Sequence, residues 1–298
     1  MSEDLESGEH TRQSLFNAVF IISLACVAGI GGWGLLDPDT MTSTFLGFPN
    51  YMLTGISWYW LLITTGFLIL SGYLAFGPYG SVRLGADDER PEFSTASWIA
   101  MLFAGGMGAG LLFWGVAEPI YHFEGPPGME GGTPRAAREA MVITNLHWGL
   151  HAWAIYGVCA LVIAYFTFRR KRTSEISTPI MSVFNGPEGK PIGTLANVLG
   201  VLAVVFGLAG SLTMGTLQVR GGLSAVFGFD ATTTLSLIIM GVLFVCYMLS
   251  ATTGVDKGIK ILSNLNMIIA IALLIVVIVF GPSQFILETF VNSIGECF

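Results

Sequence analysis

Four glycines stand close together inside one hydrophobic segment: Gly105, Gly106, Gly108 and Gly110. Each costs about 1 kcal/mol of helix stability relative to alanine, and a simple lipid-facing anchor gains nothing in return. A helix broken at membrane depth is tolerated where the loosened backbone lines a cavity or is buried in protein, and its freed carbonyls can coordinate a cation. The glycine run therefore favours a transporter with a site at the break.

Two other interpretations of the glycines have to be considered. Gly106 and Gly110 form a small-xxx-small pair, a spacing that lets two membrane helices approach closely. Physical arguments alone favour this packing role and the broken helix equally. A dinucleotide-binding loop is excluded, because it needs a strand before the glycines and a helix that begins after them, whereas this run lies inside a membrane segment.

Three aromatic residues of the next segment lie on one side of a helix. At about 100° per residue, Trp148, Trp153 and Tyr156 point to about 0°, 140° and 80°. Aromatic faces attract desolvated cations, and they suit quaternary ammonium ligands, which have no N–H to donate. An interfacial belt of Trp and Tyr is the alternative, and it fits Trp148 better than the deeper Tyr156. The pattern indicates a cationic solute.

The titratable residues near these segments give weaker evidence of a function. His147 and His151 have a metal-compatible spacing, but no Cys or HExxH-type glutamate completes a site, so packing or hydrogen bonding is favoured. Glu118 is costly enough at its position to suggest a function. Because Pro119 follows, we expect the helix to end there, and a solvated cap is an equally good interpretation. No nucleophile with a base is recognisable, so we do not expect an enzyme.

The glycines, aromatic residues and titratable residues described above lie in or beside long apolar segments, which determine their positions. Hydrophobic residues make up 53% of the sequence and charged residues 11%, and the mean hydropathy is +0.71, whereas soluble domains average about 25% charged residues. A span needs about 20 apolar residues. The fold class is therefore an all-α membrane protein with about seven transmembrane helices. The predicted spans are 15–34, 58–76, 96–115, 146–168, 195–215, 234–249 and 261–280.

Basic residues between the spans predict the orientation, because cytoplasmic loops carry an excess of Lys and Arg. With a cytoplasmic N-terminus, Arg135, Arg138 and Arg220 lie outside and the other ten basic residues lie inside. The residues before the first span are acidic rather than basic, so we expect a retained helix and not a secretory signal. The basic runs need only this topological explanation and do not indicate nucleic acid binding.

Three motifs in order resemble the betaine/choline/carnitine transporter family. They are the glycine-rich third span, His147-Trp-Gly-Leu-His-Ala-Trp-Ala-Ile-Tyr156, and Gly254-Val-Asp-Lys-Gly-Ile-Lys-Ile-Leu-Ser-Asn-Leu-Asn-Met267. The resemblance implies a twelve-helix, leucine-transporter-like fold with two inverted five-helix repeats. Residues 1–14 would be a cytoplasmic acidic tail, 15–95 two leading helices with a cytoplasmic loop, and 96–298 the first repeat.

By this resemblance the third span is the first helix of the transporter core. Gly106, Met107, Gly108 and Gly110 would flank the substrate, and the backbone carbonyls of Ala104 and Met107 would bind sodium. No cofactor is implied beyond sodium as the coupling ion.

The resemblance also implies the substrate. Trp148, Trp153 and Tyr156 match part of the family's aromatic cage. Choline-type, proton-coupled members tend to carry Asp at the position of Gly110, whereas betaine-type, sodium-coupled members carry Gly. We therefore expect sodium symport of a quaternary ammonium compatible solute for osmoprotection. Glycine betaine is favoured, and choline or carnitine are alternatives.

Two departures from the family pattern limit this expectation. Val204 and Leu208 replace two threonines that bind a second sodium in betaine-type members, so that site is expected to be absent. The sequence stops at Phe298, before the family's second repeat, and we expect no transport by this chain alone. A non-transporting membrane module or a half-transporter with a partner chain is the alternative. A homotrimer at full length and a bacterial inner membrane location are carried over from the family.

Overall fold

The structure, a computed structural model, describes residues 17–184, 186–253 and 258–297. Within these ranges the chain is built from helices and loops. In chain order the helices are α1 (Ala18–Leu36), α2 (Pro38–Phe76), α3 (Thr95–Gly106), α4 (Ala109–Glu124), α5 (Pro134–Trp148), α6 (Leu150–Ala164), α7 (Ser177–Val183), α8 (Gly189–Phe227), α9 (Thr233–Thr252), α10 (Lys260–Phe280) and α11 (Ser283–Cys297). A π-helical turn, Tyr165–Arg169, follows α6. The predicted tail 1–14 and residues 254–257 of the third motif lie outside the described residues.

The helices confirm an all-α membrane protein with about seven spans. By length and composition, six described segments can cross a bilayer, and the bent pair of α3 and α4 makes a seventh if it counts as one span. All seven coincide with the predicted spans, and the differences are at their ends. The predicted domain boundaries rest on the family's repeats and stay a prediction.

The fourth span begins much earlier than hydropathy predicts. Sequence analysis places its start at residue 146, whereas α5 begins at Pro134. A proline at the start of a helix has no N–H to leave unpaired. The side chain of Thr133 caps the helix and accepts the N–H of Ala136 at 3.1 Å. Polar residues in the first turns of α5 hide it from a hydropathy argument.

The chain divides into two compact units. Counting only the described residues, one unit lies within Met1–Trp60 and Ala160–Phe206, and the other within Leu61–Cys159 and Gly207–Phe298. In the first unit, Asn197 of α8 binds the loop before α7. Its Oδ1 accepts the N–H of Ser177 at 2.9 Å, and its Nδ2 donates to Glu175 at 2.7 Å.

Polar side chains connect the helices of the second unit. There α4 packs on α5, α3 on α10, and α11 on both α5 and α10. The Nδ2 of Asn264 donates to Ser97 Oγ at 3.2 Å between α10 and α3, and the Nδ2 of Asn145 donates to Ser293 Oγ at 2.7 Å between α5 and α11. Such bonds between membrane helices contribute about 0.6–2 kcal/mol each. These bonds hold in place α3, which carries the glycine run, and α5, which carries the first residues of the aromatic motif.

Candidate functional site

The glycine-rich span is broken between α3 and α4. Helix α3 ends at Gly106, and neither Met107 (φ −128°, ψ 61°) nor Gly108 (φ −86°, ψ −125°) is helical. The two helices are bent by 58° at this point. The discontinuous helix that the glycines predict is therefore present.

The break changes which backbone carbonyl oxygen accepts a hydrogen bond. In a continuous helix the N–H of Leu111 would donate to the Met107 carbonyl, but here it donates to the Gly108 carbonyl at 3.2 Å. The Ala104 carbonyl lies next to the break, 3.7 Å from the position of a Cβ on Gly108. Oxygen atoms of unwound backbone suit a sodium ion. The residues predicted as sodium ligands, Ala104 and Met107, fit such an ion, and their role stays a prediction.

Gly106 packs against an aromatic ring of α6. A Cβ added to Gly106 would lie 3.5 Å from the ring of Trp153, which is ordinary van der Waals contact. A Cβ added to Gly110 would meet no atom within 4 Å. In the described part of the chain, the pair thus has no second helix backbone packed against it. The small-xxx-small interpretation has no support from these contacts.

The aromatic residues are divided between two helices. Trp148 ends α5, and Trp153 and Tyr156 belong to α6, because Gly149 interrupts the helix between them. The ring centroids of Trp153 and Tyr156 are 6.3 Å apart with 55° between the ring planes. Trp148 and Tyr156 nevertheless line the same cleft. Trp148 on α5 and Tyr156 on α6 therefore share one side, as predicted, whereas Trp153 does not line this cleft.

A buried carboxylate fixes the position of Trp148. Glu118 in α4 is 7% exposed. Its Oε2 accepts the indole N–H of Trp148 at 2.5 Å, and its Oε1 lies 2.5 Å from Nδ1 of His147 and 3.5 Å from Nε2 of His122. Hydrogen bonds to a charged acceptor are stronger than neutral ones. This network joins α4 to α5 at the cleft.

The solvated-cap interpretation of Glu118 is wrong. Helix α4 continues through Pro119 to Glu124, because a proline inside a membrane helix is tolerated when neighbouring groups satisfy the freed backbone. The two histidines of the aromatic motif do form hydrogen bonds, as predicted. His147 binds Glu118, and Nε2 of His151 lies 3.4 Å from the Thr65 hydroxyl.

A cleft of about 460 Å³ opens beside the break, and it brings several predicted residues together. Of the predicted substrate-binding residues, Gly106, Met107, Trp148 and Tyr156 line it. Gly108, Gly110 and Trp153 do not, although Trp153 contacts Gly106. The complete lining is Gly106, Met107, Trp114, Glu118, Tyr121, His122, His147, Trp148, Ala152 and Tyr156.

Sequence reasoning missed three lining residues on α4. Trp114, Tyr121 and His122 lie four before, three after and four after Glu118, so all four side chains share one helix face. The spacing is visible in the sequence. A helix end at Pro119 would have removed only Tyr121 and His122 from this face, since Trp114 precedes the proline.

The cleft combines aromatic faces with one acidic group. Among its lining residues Glu118 is the one carboxylate, and none is Lys or Arg. Aromatic faces and a carboxylate both attract positive charge. The lining is therefore suited to a cationic group rather than to an anion.

Several curated transporters are similar to this chain. The glycine betaine transporter OpuD of Bacillus subtilis is 40% identical over 281 residues, 94% of this chain and 55% of that protein. The probable glycine betaine transporter of Desulfitobacterium hafniense is 36% identical, with 94% and 56% covered. An ectoine/hydroxyectoine transporter of Virgibacillus pantothenticus is 37% identical, with 96% and 57% covered. The chain spans about half the length of the curated relatives it matches.

All described residues except Asn17 fall within the range that a transporter family matches. Residues 18–298 correspond to the family described as BCCT, betaine/carnitine/choline family transporter. This range includes the broken helix, the aromatic motif and α10, which carry the features found in the sequence and the structure. The chain belongs to the betaine/carnitine/choline transporter family.

Proposed function

We propose that this chain forms one wall of the solute site of a secondary active transporter, which takes up a quaternary ammonium compatible solute by sodium symport. Glycine betaine is the favoured solute. One observation carries the proposal: Trp148 and Tyr156 line a single cleft with the buried Glu118, beside the break between α3 and α4.

The trimethylammonium group of the solute would be held by the aromatic rings. It carries a charge but has no N–H, so it cannot use hydrogen-bond acceptors, whereas aromatic faces bind it with about 0.5–2 kcal/mol per contact. Glu118 adds a negative charge at the cleft wall. Its Oε2 is bonded to Trp148, so the carboxylate also keeps that ring in position.

Glycine betaine is favoured over choline on two grounds. Two of the relatives that cover most of this chain are named as glycine betaine transporters, one of them as probable. Betaine-type members of the family carry glycine at the position of Gly110. A Cβ added to Gly110 would meet no described atom within 4 Å. Packing within the described chain therefore does not explain why this residue is glycine.

Sodium is proposed as the coupling ion, with the carbonyls of Ala104 and Met107 among its ligands. These carbonyls and the lining residues Gly106 and Met107 belong to the same backbone break. An ion that orders this break raises the affinity for solute, and by linkage the solute raises the affinity for the ion by the same factor. Differential binding to outward-open and inward-open states then couples the two fluxes. We place the protein in a bacterial plasma membrane with a cytoplasmic N-terminus, as a homotrimer at full length.

Ectoine is a second candidate solute. The observation that favours it is the similarity to an ectoine/hydroxyectoine transporter, which is 37% identical to this chain. Ectoine is also zwitterionic, but its positive charge lies on a cyclic amidinium with N–H groups. A competition experiment can therefore distinguish the two solutes.

The wall that this chain forms should by itself bind glycine betaine through its aromatic rings, so the test is equilibrium binding of the radiolabelled solute to the purified 298-residue chain in lipid nanodiscs, in NaCl and in KCl. Unlabelled glycine betaine should compete best, ectoine, choline and carnitine less, and glycine, which lacks the methyl groups, least. Binding should be tighter in NaCl. Tyr156→Leu should weaken it by about 2- to 30-fold, which corresponds to about 0.5–2 kcal/mol.

Tyr247→Leu is the matched control, because Tyr247 is an exposed tyrosine of α9 outside the cleft. If glycine competes as well as glycine betaine, the chain does not recognise a quaternary ammonium group and the solute proposal fails. Equal affinity in NaCl and KCl would refute only the sodium part.

A further inference from the structure

We propose that Glu118, His122 and His147 form a binding site for a divalent transition metal, with Zn²⁺ as the best match, on the wall of the cleft. The proposal goes beyond solute transport and does not rest on it. One carboxylate oxygen and two imidazole nitrogens, one from each residue, all lie within 4.8 Å of one another. We call these three residues the Glu118 triad.

The ligand atoms of the triad lie at separations close to those of a zinc site. Oε1 of Glu118 is 3.5 Å from Nε2 of His122 and 2.5 Å from Nδ1 of His147. Zinc bonds of about 2.0–2.1 Å place tetrahedral ligand atoms about 3.3 Å apart. The first pair already has this separation, and the second needs to open by less than about 1 Å. His147 can make this movement, because 53% of its side chain is exposed.

The chemistry of the triad matches zinc in particular. Two imidazoles with one glutamate are a ligand set that Zn²⁺ takes at sites that keep a fourth position open. Imidazole also suits Cu²⁺ and Ni²⁺, whereas Mg²⁺ and Ca²⁺ prefer oxygen ligands. Since all three residues line the cleft, the fourth position would face it and take water.

The second oxygen of Glu118 supplies the outer contact that metal-binding carboxylates have. Oε2 accepts the N–H of Trp148, which orients the carboxylate and leaves Oε1 for a metal. Glu118 and His122 are one turn apart on α4, and α4 packs on α5, which carries His147. The three ligands are thus placed by two packed helices rather than by a loop.

His122 is not fully satisfied by the polar network. Its Nδ1 is buried and has no hydrogen-bond partner among the described residues, and its Nε2 reaches Glu118 only at 3.5 Å. A histidine that served only to orient Glu118 would be expected closer to it. A metal bound by Nε2 would replace this long contact with a direct bond, and Nδ1 would stay the ring nitrogen without a partner among the described residues.

The test is titration of the purified, metal-free 298-residue chain in detergent with Zn²⁺ alone, followed by calorimetry. One equivalent of Zn²⁺ should bind. His122→Gln and His147→Gln should each weaken binding by more than about tenfold, because loss of even an outer-shell partner costs about 10- to 100-fold. His151→Gln is the matched control, since His151 bonds Thr65 instead. His10→Gln controls for the histidine that lies outside the described residues.

A second measurement needs no variant and therefore does not depend on whether the variants fold. X-ray absorption of the zinc-loaded chain should show nitrogen and oxygen ligands at about 2.0–2.1 Å with scattering from two imidazoles. Absence of Zn²⁺ binding, binding without imidazole scattering, or undiminished binding by folded His122→Gln and His147→Gln would each overturn the proposal. Glycine betaine binding is not part of either readout, so failure of the proposed solute leaves this test intact.

Discussion

Trp148 contributes two different groups to the cleft. Its ring lines the cleft, and its indole N–H donates to the buried Glu118 at 2.5 Å. Trp148→Phe keeps an aromatic face and removes the N–H, whereas Trp148→Leu removes both. Since a hydrogen bond to a charged group contributes about 1.5–3 kcal/mol, both variants should lower the free energy of unfolding by a similar amount. Betaine binding should be clearly weaker in Trp148→Leu than in Trp148→Phe.

Chemical unfolding in detergent and labelled betaine binding separate the two effects. If both variants bind betaine equally weakly, the ring face of Trp148 contributes nothing, and only its bond to Glu118 matters.

Gly106 has no side chain, so the ring of Trp153 can pack close to the break. A Cβ at Gly106 would be in ordinary contact, 3.5 Å from the ring, so Gly106→Ala should preserve betaine binding. The larger side chain of Gly106→Leu must displace Trp153, and overpacking of this kind costs about 1–3 kcal/mol. We therefore expect Gly106→Leu to weaken betaine binding and to change the tryptophan fluorescence spectrum.

Gly105→Leu is the control, because a Cβ at Gly105 would have no atom within 4 Å. The contact with Trp153 is unimportant for binding if Gly105→Leu and Gly106→Leu have the same affinity for betaine.

At the level of the helices, Gly149 determines how α5 meets α6. A Cβ at Gly149 would overlap the carbonyl oxygen of Asn145, so the backbone would have to move. Glycine to alanine normally stabilises a helix by about 1 kcal/mol. Gly149→Ala should instead reduce the free energy of unfolding, and it should weaken betaine binding because Trp148 and Tyr156 lie on opposite sides of the junction.

Gly157→Ala in α6 is the matched control, since a Cβ there would be free of contacts within 4 Å. It should be neutral or stabilising in the same unfolding assay. Equal stability of the two variants would show that the α5–α6 junction does not require glycine.

Much of the helical arrangement could be predicted from the sequence, because each span contains about 20 apolar residues and the glycine run indicates the break. The polar first turns of α5 and the whole of α11 were not predicted as helix. Hydropathy cannot find them, because both contain too many polar side chains. The first turns of α5 carry the exposed Arg135 and Arg138, and Ser293 of α11 accepts a bond from Asn145 at 2.7 Å. The face of α4 that carries His122 was missed because a proline was expected to end the helix.

For the molecule as a whole, the family was predictable because three motifs occur in one order, and the comparison over residues 18–298 confirms it. The contact of Glu118 with His147 was not predictable. It joins residues 29 positions apart on two helices, and one sequence does not reveal which faces of those helices meet. Sodium coupling and orientation in the membrane stay predictions.

The orientation can be tested with cysteines in two exposed loops. In a background without the native cysteines, Glu130→Cys should react with a membrane-impermeant maleimide from outside intact cells, and Asp88→Cys only after the membrane is opened. The prediction follows from the excess of basic residues on the side that carries Arg83 and Arg90. The reverse labelling pattern would place the N-terminus outside.

The central claim is that the aromatic cleft of this chain contacts the quaternary ammonium group of a solute. Saturation-transfer NMR of glycine betaine with the 298-residue chain measures that contact directly. Irradiation of aromatic protons should transfer saturation to the N-methyl protons, the signal should fall strongly in Tyr156→Leu, and it should be unchanged in Tyr247→Leu. No transfer, or equal transfer in both variants, would contradict the account.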